Sequence, residues 1–213
     1  MRYYIADCHF FHEKLLDQMD RRPFESVTQM NEYMIEKWNS RVRKNDDVII
    51  LGDFSWGNGT QTNEILEQLN GRKYLICGNH DLYLKDKAFN PDLFVWIKDY
   101  AELKDNRRKV VLSHYPMPCY NGQYRRDENG NPKSYMLYGH VHDTRDQKHL
   151  EMFGNFIREQ QHPSIGDGSL QSIPFNLINC FCMYSDYVPL TLDEWIENDK
   201  NRRTSQSLKK TEA

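Results

Sequence analysis

Two histidines, His140 and His142, stand one residue apart at the end of the stretch SYMLYGHVHD, after an apolar run and a glycine. Side chains two residues apart in a strand point to the same side, so both imidazoles can face one place. Imidazole is a common metal ligand. A single pair of this kind is more often structural, so a metal site needs further ligands elsewhere in the chain.

Further ligand-type side chains follow other short apolar runs. They are Asp7 and His9 in ADCHF, Asp53 after Gly52, Asn79 and His80 after Gly78, and His114 after Ser113. Ligands of α/β sheets bind at the carboxyl ends of the strands, so these residues are expected to line one edge. A mixed set of nitrogen and oxygen donors suits Mn, Fe, Zn or Ni.

The elements that must position these residues alternate along the chain. The apolar runs predict strands, and the spacing of Met30, Met34 and Trp38 predicts a helix that begins near Ser26. Residues 60–70 and 191–198 also have helical patterns. The order predicts a layered α/β domain over residues 1–198. Residues 199–213 are polar without apolar periodicity and are expected to be a disordered tail.

Composition excludes several classes of protein. The chain has 213 residues and a formal net charge of −3, which argues against a large non-specific nucleic-acid footprint. No apolar run reaches the roughly 20 residues of a membrane span, and the start does not read as a secretory signal. The 5 cysteines are odd in number and mostly scattered, which favours reduced thiols and a cytoplasmic protein.

The order of these motifs resembles the calcineurin-like metallophosphoesterase family. The matching residues are Asp7-Cys8-His9, Gly52-Asp53, Gly78-Asn79-His80-Asp81, His114 and Gly139-His140-Val141-His142. The resemblance implies an αββα sandwich, in which two mixed β-sheets are flanked by helices. It also implies two divalent metal ions along the strand ends, with Mn favoured in vitro.

The resemblance assigns a role to each matching residue. One metal would be held by Asp7, His9, Asp53 and His142, and the other by Asp53, Asn79, His114 and His140. A metal-activated hydroxide would then attack phosphorus. His80 would protonate the leaving oxygen, and Asp81 would fix the tautomer of His80.

Three other residues are candidates for substrate binding. His12 follows the first ligand pair, where a structural role is an equal alternative. Arg125 and Arg126 lie in a turn-rich insert between two ligand strands. Arginine suits phosphate, although these two side chains could also simply face solvent.

The remaining motifs narrow the subfamily. The arginine of the calcineurin-type protein phosphatases is missing after Asp53, and Trp56 stands where purple acid phosphatases have a tyrosine ligand. The chain resembles instead the small stand-alone bacterial and phage-type members, which carry stretches similar to RPF at residues 22–24, LGDFSW at 51–56 and SHYP at 113–116. A helical HD-domain hydrolase is disfavoured, because both HD dipeptides follow apolar strand patterns and glycines.

We predict a phosphodiesterase that acts on a small nucleotide-type phosphoester. Aromatic residues that flank the ligand strands are candidates to stack on a base: Phe54, Trp56, Tyr115 and Tyr120. The alternatives are a phosphomonoesterase for small molecules and a non-catalytic metal-binding scaffold on the same fold. The sequence gives no strong indication of nucleic-acid binding or a protein partner, and none of a membrane.

Overall fold

The first half of the chain forms a parallel sheet from the apolar runs that precede the predicted ligands. The computed structural model describes residues 1–164, 166 and 168–211, with side chains through residue 205. The strands of this first sheet are β1 (Arg2–Ile5), β2 (Asp47–Ile50), β3 (Arg72–Ile76) and β4 (Phe94–Lys98). They lie in that order, each parallel to the next. Their carboxyl ends therefore meet at one edge.

A second sheet forms from the later runs. It contains β5 (Tyr100–Asp105), β6 (Arg108–Ser113), β7 (Ser134–Tyr138) and, after a separate antiparallel pair of β8 (Gln161–Pro163) and β9 (Leu170–Ser172), β10 (Leu177–Asn179). The order is β10-β7-β6-β5, and only the β5–β6 pairing of this sheet is antiparallel among the described residues. The backbone N–H of Ala6, just beyond β1, donates to the carbonyl of Cys180 at 2.8 Å and joins the two sheets.

The helices begin where the sequence supplies capping side chains. They are α1 (Val27–Arg41), α2 (Gly59–Gln68), α3 (Arg145–Glu159) and α4 (Leu192–Thr211). Ser26 Oγ accepts from the backbone N–H of Gln29 at 3.2 Å, which satisfies an otherwise free donor at the start of α1. Thr191 and Glu194 cap α4 reciprocally: the Glu194 N–H donates to Thr191 Oγ1 at 3.4 Å, and the Thr191 N–H donates to Glu194 Oε2 at 2.9 Å.

Alternation along the strands decides which layer each side chain joins. On β2, Val48 and Ile50 pack toward the apolar faces of α1 and α2, whereas Ile49 packs in the cluster that contains Val110 and Leu137 of the second sheet. On the outer face of the second sheet, Met136 and Tyr138 of β7 pack with Leu150 and Ile157 of α3.

These layers confirm the predicted αββα sandwich. One detail differs, since the first sheet is parallel throughout and only the second is mixed. In the part of the chain that the structure describes, no helix has the length and apolar character to cross a membrane.

The segment after Asn198 differs from the expected disordered tail. Helix α4 continues through it to Thr211, and Asp199 is only 8% exposed. Arg203 Nε lies 2.9 Å from Asp199 Oδ2, and the guanidinium of Arg202 lies 3.7 Å from the centre of the Tyr184 ring. Apolar periodicity did not predict this part of the helix, because its contacts with the domain are ion pairs and a cation–π stack rather than apolar packing. Residues 212 and 213 of the predicted tail lie outside the described residues.

These contacts predict that residues 199–205 stabilise the domain. A chain that ends after Asn198 loses the ion pairs of Asp199 and the stack on Tyr184. We expect it to lose about 1 kcal/mol or more, which lowers the Tm by roughly 2–4 °C or more for a domain of this size. Thermal unfolding followed by circular dichroism measures the change. A chain that ends after Ser205 keeps these contacts and is the control. Equal Tm values for the two truncated chains would show that the segment contributes nothing.

Candidate metal centre

The predicted ligands meet at one edge of the sandwich in two clusters. One contains Asp7, His9 and His142, and the other contains Asp53, His114 and His140. Within each cluster one nitrogen or oxygen atom from every side chain lies within 4.8 Å of the others. The edge is formed by the carboxyl ends of β1, β2, β3, β6 and β7, as the strand pattern predicts.

The first cluster is buried. His9 Nε2 lies 3.2 Å from His142 Nε2, and Asp7 Oδ1 lies 3.8 Å from His142 Nε2. Asp7 Oδ2 is buried without a hydrogen-bond partner. An unpartnered buried oxygen is costly, on the order of 1–3 kcal/mol, and a cation beside these three donors would satisfy it. The donor set therefore fits a divalent metal ion.

The second cluster includes the side chain of Asn79. Asn79 Oδ1 lies 3.1 Å from His114 Nε2 and 2.9 Å from His140 Nδ1. His114 Nδ1 lies 2.8 Å from the carbonyl oxygen of Leu51 and can donate its hydrogen there. When the ring gives up its Nε2 proton, it can offer that lone pair to a metal ion.

Asp53 stands between the two clusters. Its Oδ2 lies 3.5 Å from His9 Nε2 on one side and 3.5 Å from His114 Nε2 on the other. A single carboxylate oxygen thus faces both sets of nitrogens, which is the position that a bridging ligand needs.

Left-handed backbone turns, rather than the strand pleat, aim these side chains. β7 ends at Tyr138, and the histidines beyond it have φ values of 69° (His140) and 47° (His142). They enter different clusters, so the expectation that both face one place as neighbours in a strand is wrong. Asp7, His9 and Asp53 are also left-handed, with φ of 56°, 50° and 51°. Such residues cost roughly 1–3 kcal/mol each and collect at functional sites.

Glycines before the ligands let neighbouring side chains approach the backbone. A Cβ on Gly78 would lie 2.2 Å from Asp53 Oδ1, and one on Gly52 would lie 2.3 Å from His114 Nδ1. Gly52 also has a φ of 86°, which other residues adopt only with strain. The glycines that punctuate the motif are therefore required by the packing of the ligands themselves.

Burial and charge set the protonation of the metal-free clusters. Burial raises the pKa of Asp7, and burial with its cationic neighbours holds the pKa of His9 well below its usual range. Burial lowers the pKa of His114, but the carboxylates of Asp53 and Asp7 outweigh it and raise that pKa to about 9. His114 is therefore protonated at neutral pH without metal, and a metal ion that takes its Nε2 must displace a proton.

Comparison with known proteins identifies the family. Residues 3–156 match the calcineurin-like phosphoesterase superfamily domain. The chain belongs to this superfamily. The match contains the strand ends described above, and both candidate metal-ligand clusters lie within the matched residues.

Relatives of this chain occur in an archaeon and in mycobacteriophages. An uncharacterized protein of Methanocaldococcus jannaschii is 30% identical over 211 residues and covers 97% of both chains. The gene 66 protein of Mycobacterium phage L5 is 34% identical over 66% of this chain and 76% of its own. A solved structure from Aquifex aeolicus, of a protein of unknown function, shares the fold with a TM-score of 0.59 and 24% identity, covering 91% of this chain and 96% of its own.

His80 is half-buried and lies beside the two ligand clusters. Its backbone N–H donates to Asp53 Oδ1 at 2.8 Å, and its ring centre lies 4.7 Å from that of Trp56 and 5.6 Å from that of His9. The structure thus brings His80 to the site without adding it to either ligand cluster.

Asp81 does not hold His80 in the way the sequence suggested. Its carboxylate accepts hydrogen bonds from the backbone N–H groups of Gly78, Asp53 and Phe54 at 2.7, 3.0 and 2.8 Å. Burial raises its pKa to about 6 against the lowering effect of these donors. Buried backbone donors at the ends of β2 and β3 need an acceptor, and Asp81 supplies it. Asp81 therefore shapes the turns that carry Asp53 and His80.

The substrate-binding candidates fall in different places. His12 lies at the site, with its Nδ1 3.4 Å from His9 Nδ1 and its ring stacked 4.0 Å from Trp56. Burial and the nearby Arg22 charge lower the pKa of His12 to about 4, so the neutral ring can accept a hydrogen bond from His9. Its contact with substrate stays a prediction.

Arg125 and Arg126 are not brought to the site. The carbonyl of Arg125 accepts from the N–H of Lys133, just before β7 begins, and Arg126 bridges to Pro132. His140 follows the opposite end of β7. Arg126 is also bonded to the carbonyl of Gly130 at 2.9 Å. The insert folds back along the sheet before β7 starts, which sequence order could not reveal, so both arginines lie away from the clusters and their substrate contact stays a prediction.

Sequence reasoning missed two residues, Asp20 and Arg22. Asp20 Oδ1 lies 2.7 Å from His142 Nδ1, and Arg22 Nη2 donates to the carbonyl of Asp7 at 2.9 Å. The only signal in the sequence is a pair of opposite charges ahead of a proline, in the run DRRPF. Such a pair is ordinarily solvated, and the RPF stretch, although shared with the small stand-alone members of the family, does not indicate what Arg22 contacts.

The geometry predicts that Asp53 is required by both clusters. We expect the wild type to hold two metal ions per chain and Asp53→Ala to hold none, because the substitution removes the oxygen that faces His9 and His114. Elemental analysis after equilibrium dialysis against Mn²⁺ measures the content. Asp47→Ala is the control. Asp47 begins β2, at the end away from the clusters, and forms ion pairs with Arg2 of β1 and Arg72 of β3. An Asp53 variant that retained two metals would show that the bridge is misassigned.

Proposed function

We propose that this phosphoesterase is a dinuclear-metal phosphodiesterase that hydrolyses a small nucleotide-type phosphodiester. The observation that carries the proposal is the position of Asp53 Oδ2, at 3.5 Å from a nitrogen of each cluster. The residues of both clusters could therefore hold two divalent ions that would act together on one phosphoryl group.

The residues of the proposed site have different roles. Asp7, His9, Asp53 and His142 would hold one ion, and Asp53, Asn79, His114 and His140 would hold the other. When bound, two such ions would act as Lewis acids toward phosphoryl oxygens and would lower the pKa of a water molecule. The nitrogen and oxygen donors favour Mn, Fe, Zn or Ni, with Mn as the choice in vitro. His80, outside both ligand groups, is the candidate proton donor to the leaving oxygen.

Charge at the site favours a diester over a monoester. Two divalent ions would bring four positive charges, of which the carboxylates of Asp7 and Asp53 would offset two and a bound hydroxide a third. Arg22 is buried beneath the site and is bonded to Asp20 and to backbone carbonyls. It is therefore not free to grip a third phosphate oxygen, and a monoanionic diester matches the remaining charge better than a dianionic monoester.

Exposed aromatic rings favour a substrate that carries a base. Of the aromatic candidates, Phe54 and Tyr120 are buried and pack in the core. Trp56 and Tyr115 are 46% and 48% exposed. One face of Trp56 is covered by His12, whereas Tyr115 lies edge-on to His140 with its hydroxyl 3.4 Å from Asn79 Oδ1. Tyr115 is therefore the better candidate to stack on a nucleobase.

Cysteine chemistry supports a cytoplasmic enzyme within this proposal. All five cysteines are free thiols, and Cys8, Cys180 and Cys182 are buried. Free thiols are ordinary in a reducing compartment. A small phosphoester is the partner that the site implies.

Hydrolysis of matched esters tests the proposed substrate class. Mn-reconstituted protein is assayed with thymidine 5′-(p-nitrophenyl phosphate), methyl p-nitrophenyl phosphate and p-nitrophenyl phosphate, which share a leaving group. We expect kcat/KM to be highest for the nucleotide diester and lowest for the monoester. A monoester preference would indicate a phosphomonoesterase, and no turnover above a chelated control would indicate a non-catalytic scaffold; either result would defeat the proposal.

The role of His80 gives a separate prediction. A p-nitrophenolate leaves without a proton, whereas a nucleoside oxygen needs one, and general acid catalysis contributes roughly 10²–10⁴-fold. His80→Ala should therefore slow a dinucleotide by an amount in that range and a p-nitrophenyl diester by clearly less, with the metal content unchanged. His149→Ala, at an exposed position on α3, is the control. Equal slowing of both esters would mean that His80 does not act as the acid.

A further inference from the structure

Asp20 and Arg22 form a buried ion pair directly beneath the first cluster. The Arg22 side chain is 0% exposed and that of Asp20 is 2% exposed. Arg22 Nε donates to Asp20 Oδ2 at 3.0 Å, and Nη2 lies 3.0 Å from the same oxygen. The residue between them, Arg21, is exposed and left-handed with a φ of 49°. The backbone is thus strained at the turn that sends both charged side chains inward.

The guanidinium of Arg22 also fixes the backbone of the first ligand pair. Nη1 donates to the carbonyl of Cys8 at 2.6 Å, and Nη2 donates to the carbonyl of Asp7 at 2.9 Å. The left-handed turns at Asp7 and His9 place these carbonyls in the interior, where an unpaired oxygen would be costly. Arg22 satisfies both of them with one planar group.

Asp20 contacts the ligand that comes from the other sheet. Its Oδ1 lies 2.7 Å from His142 Nδ1. The imidazole therefore donates its Nδ1 hydrogen to the carboxylate and leaves the Nε2 lone pair toward His9 and Asp7. A carboxylate behind a metal-binding histidine fixes the ring and makes it a stronger donor.

A buried ion pair is rarely a gain for stability alone. Replacing such pairs by apolar side chains of similar size is often neutral or stabilising, because desolvation of the charges is costly. The pair here links Asp7 and Cys8 after β1 with His142 after β7, which are the two halves of one cluster. These contacts hold the metal-ligand residues in place, and that role explains the pair better than a contribution to core stability does.

We propose that Asp20 and Arg22 are positioning residues for the first metal cluster. Asp20 holds His142 in its ligating tautomer, and Arg22 balances the charge of Asp20 while it locks the Asp7–Cys8 backbone. This inference rests on the proposed function, since it assumes that the cluster binds metal.

The second cluster provides an internal comparison. His114 Nδ1 contacts the neutral carbonyl of Leu51 at 2.8 Å, whereas His142 Nδ1 contacts the carboxylate of Asp20 at 2.7 Å. The two clusters therefore differ in what stands behind their histidines. Loss of the Asp20 charge should lower the affinity for one metal ion and leave the affinity for the other nearly unchanged.

The test is the affinity of each metal ion in Asp20→Asn. The variant keeps the shape and an acceptor oxygen but removes the charge. We expect one of the two Mn²⁺ ions to bind ~10–100-fold more weakly, and the other to change by less than about 3-fold. Competition with a chelating dye measures both constants. Asp199→Asn is the control, because Asp199 is also buried and ion-paired but contacts arginines of α4.

Two further measurements separate positioning from loss of fold. Saturating Mn²⁺ should restore most of the kcat of Asp20→Asn, which a misfolded fraction would not allow. Arg22→Lys should lower the affinity for the same metal ion, because an ammonium group lacks the planar set of donors that bonds both carbonyls and Asp20 at once. If Asp20→Asn bound both ions as the wild type does, or lost both equally, the proposal would be overturned. A wild type that bound no metal would overturn the proposed function instead.

Discussion

The left-handed turn beyond each strand end is the constraint on which this site depends. Parallel strands bring their carboxyl ends to one edge, but a strand that simply continued would send alternate side chains to opposite faces. The turns at Asp7, Asp53 and His140 instead aim the side chains into the edge. Each turn carries strain, and cross-links offset it: the N–H of His140 donates to Asp7 Oδ1 at 2.9 Å, and the N–H of His80 donates to Asp53 Oδ1 at 2.8 Å.

The sequence predicted the layers and the ligand set because both repeat one local pattern. An apolar run needs burial on both faces, and a glycine followed by Asp, Asn or His marks where the run must leave the sheet. The pattern recurs at Gly52, Gly78 and Gly139, so an accidental match at one of them matters little. Ser26 likewise marked the start of α1, because a capping side chain acts within one turn of the helix.

The sequence failed wherever a contact joins distant segments without a repeated pattern. Asp20 and His142 are 122 positions apart, and nothing local distinguishes Asp20 from a solvated carboxylate. Asp81 was assigned to its neighbour His80, yet its carboxylate serves backbone donors at two strand ends. The end of α4 was misjudged for a related reason, since Arg202 packs on Tyr184 through a charged group that hydropathy counts as exposed.

The clusters also bear on how the two sheets are held together. The buried side chains between the sheets pack in an apolar cluster, and apolar contacts are not directional. Each cluster takes donors from both sheets, as with Asp7 and His142 in one and Asp53 and His114 in the other. A cation in either cluster is bound well only when the sheets are in register, so its binding free energy adds to the stability of that arrangement by mass action. The strain of the turns raises the free energy of the metal-free fold, and binding at the same residues offsets it. The geometry that would hold two adjacent cations would therefore also tie metal binding to the packing of the sandwich.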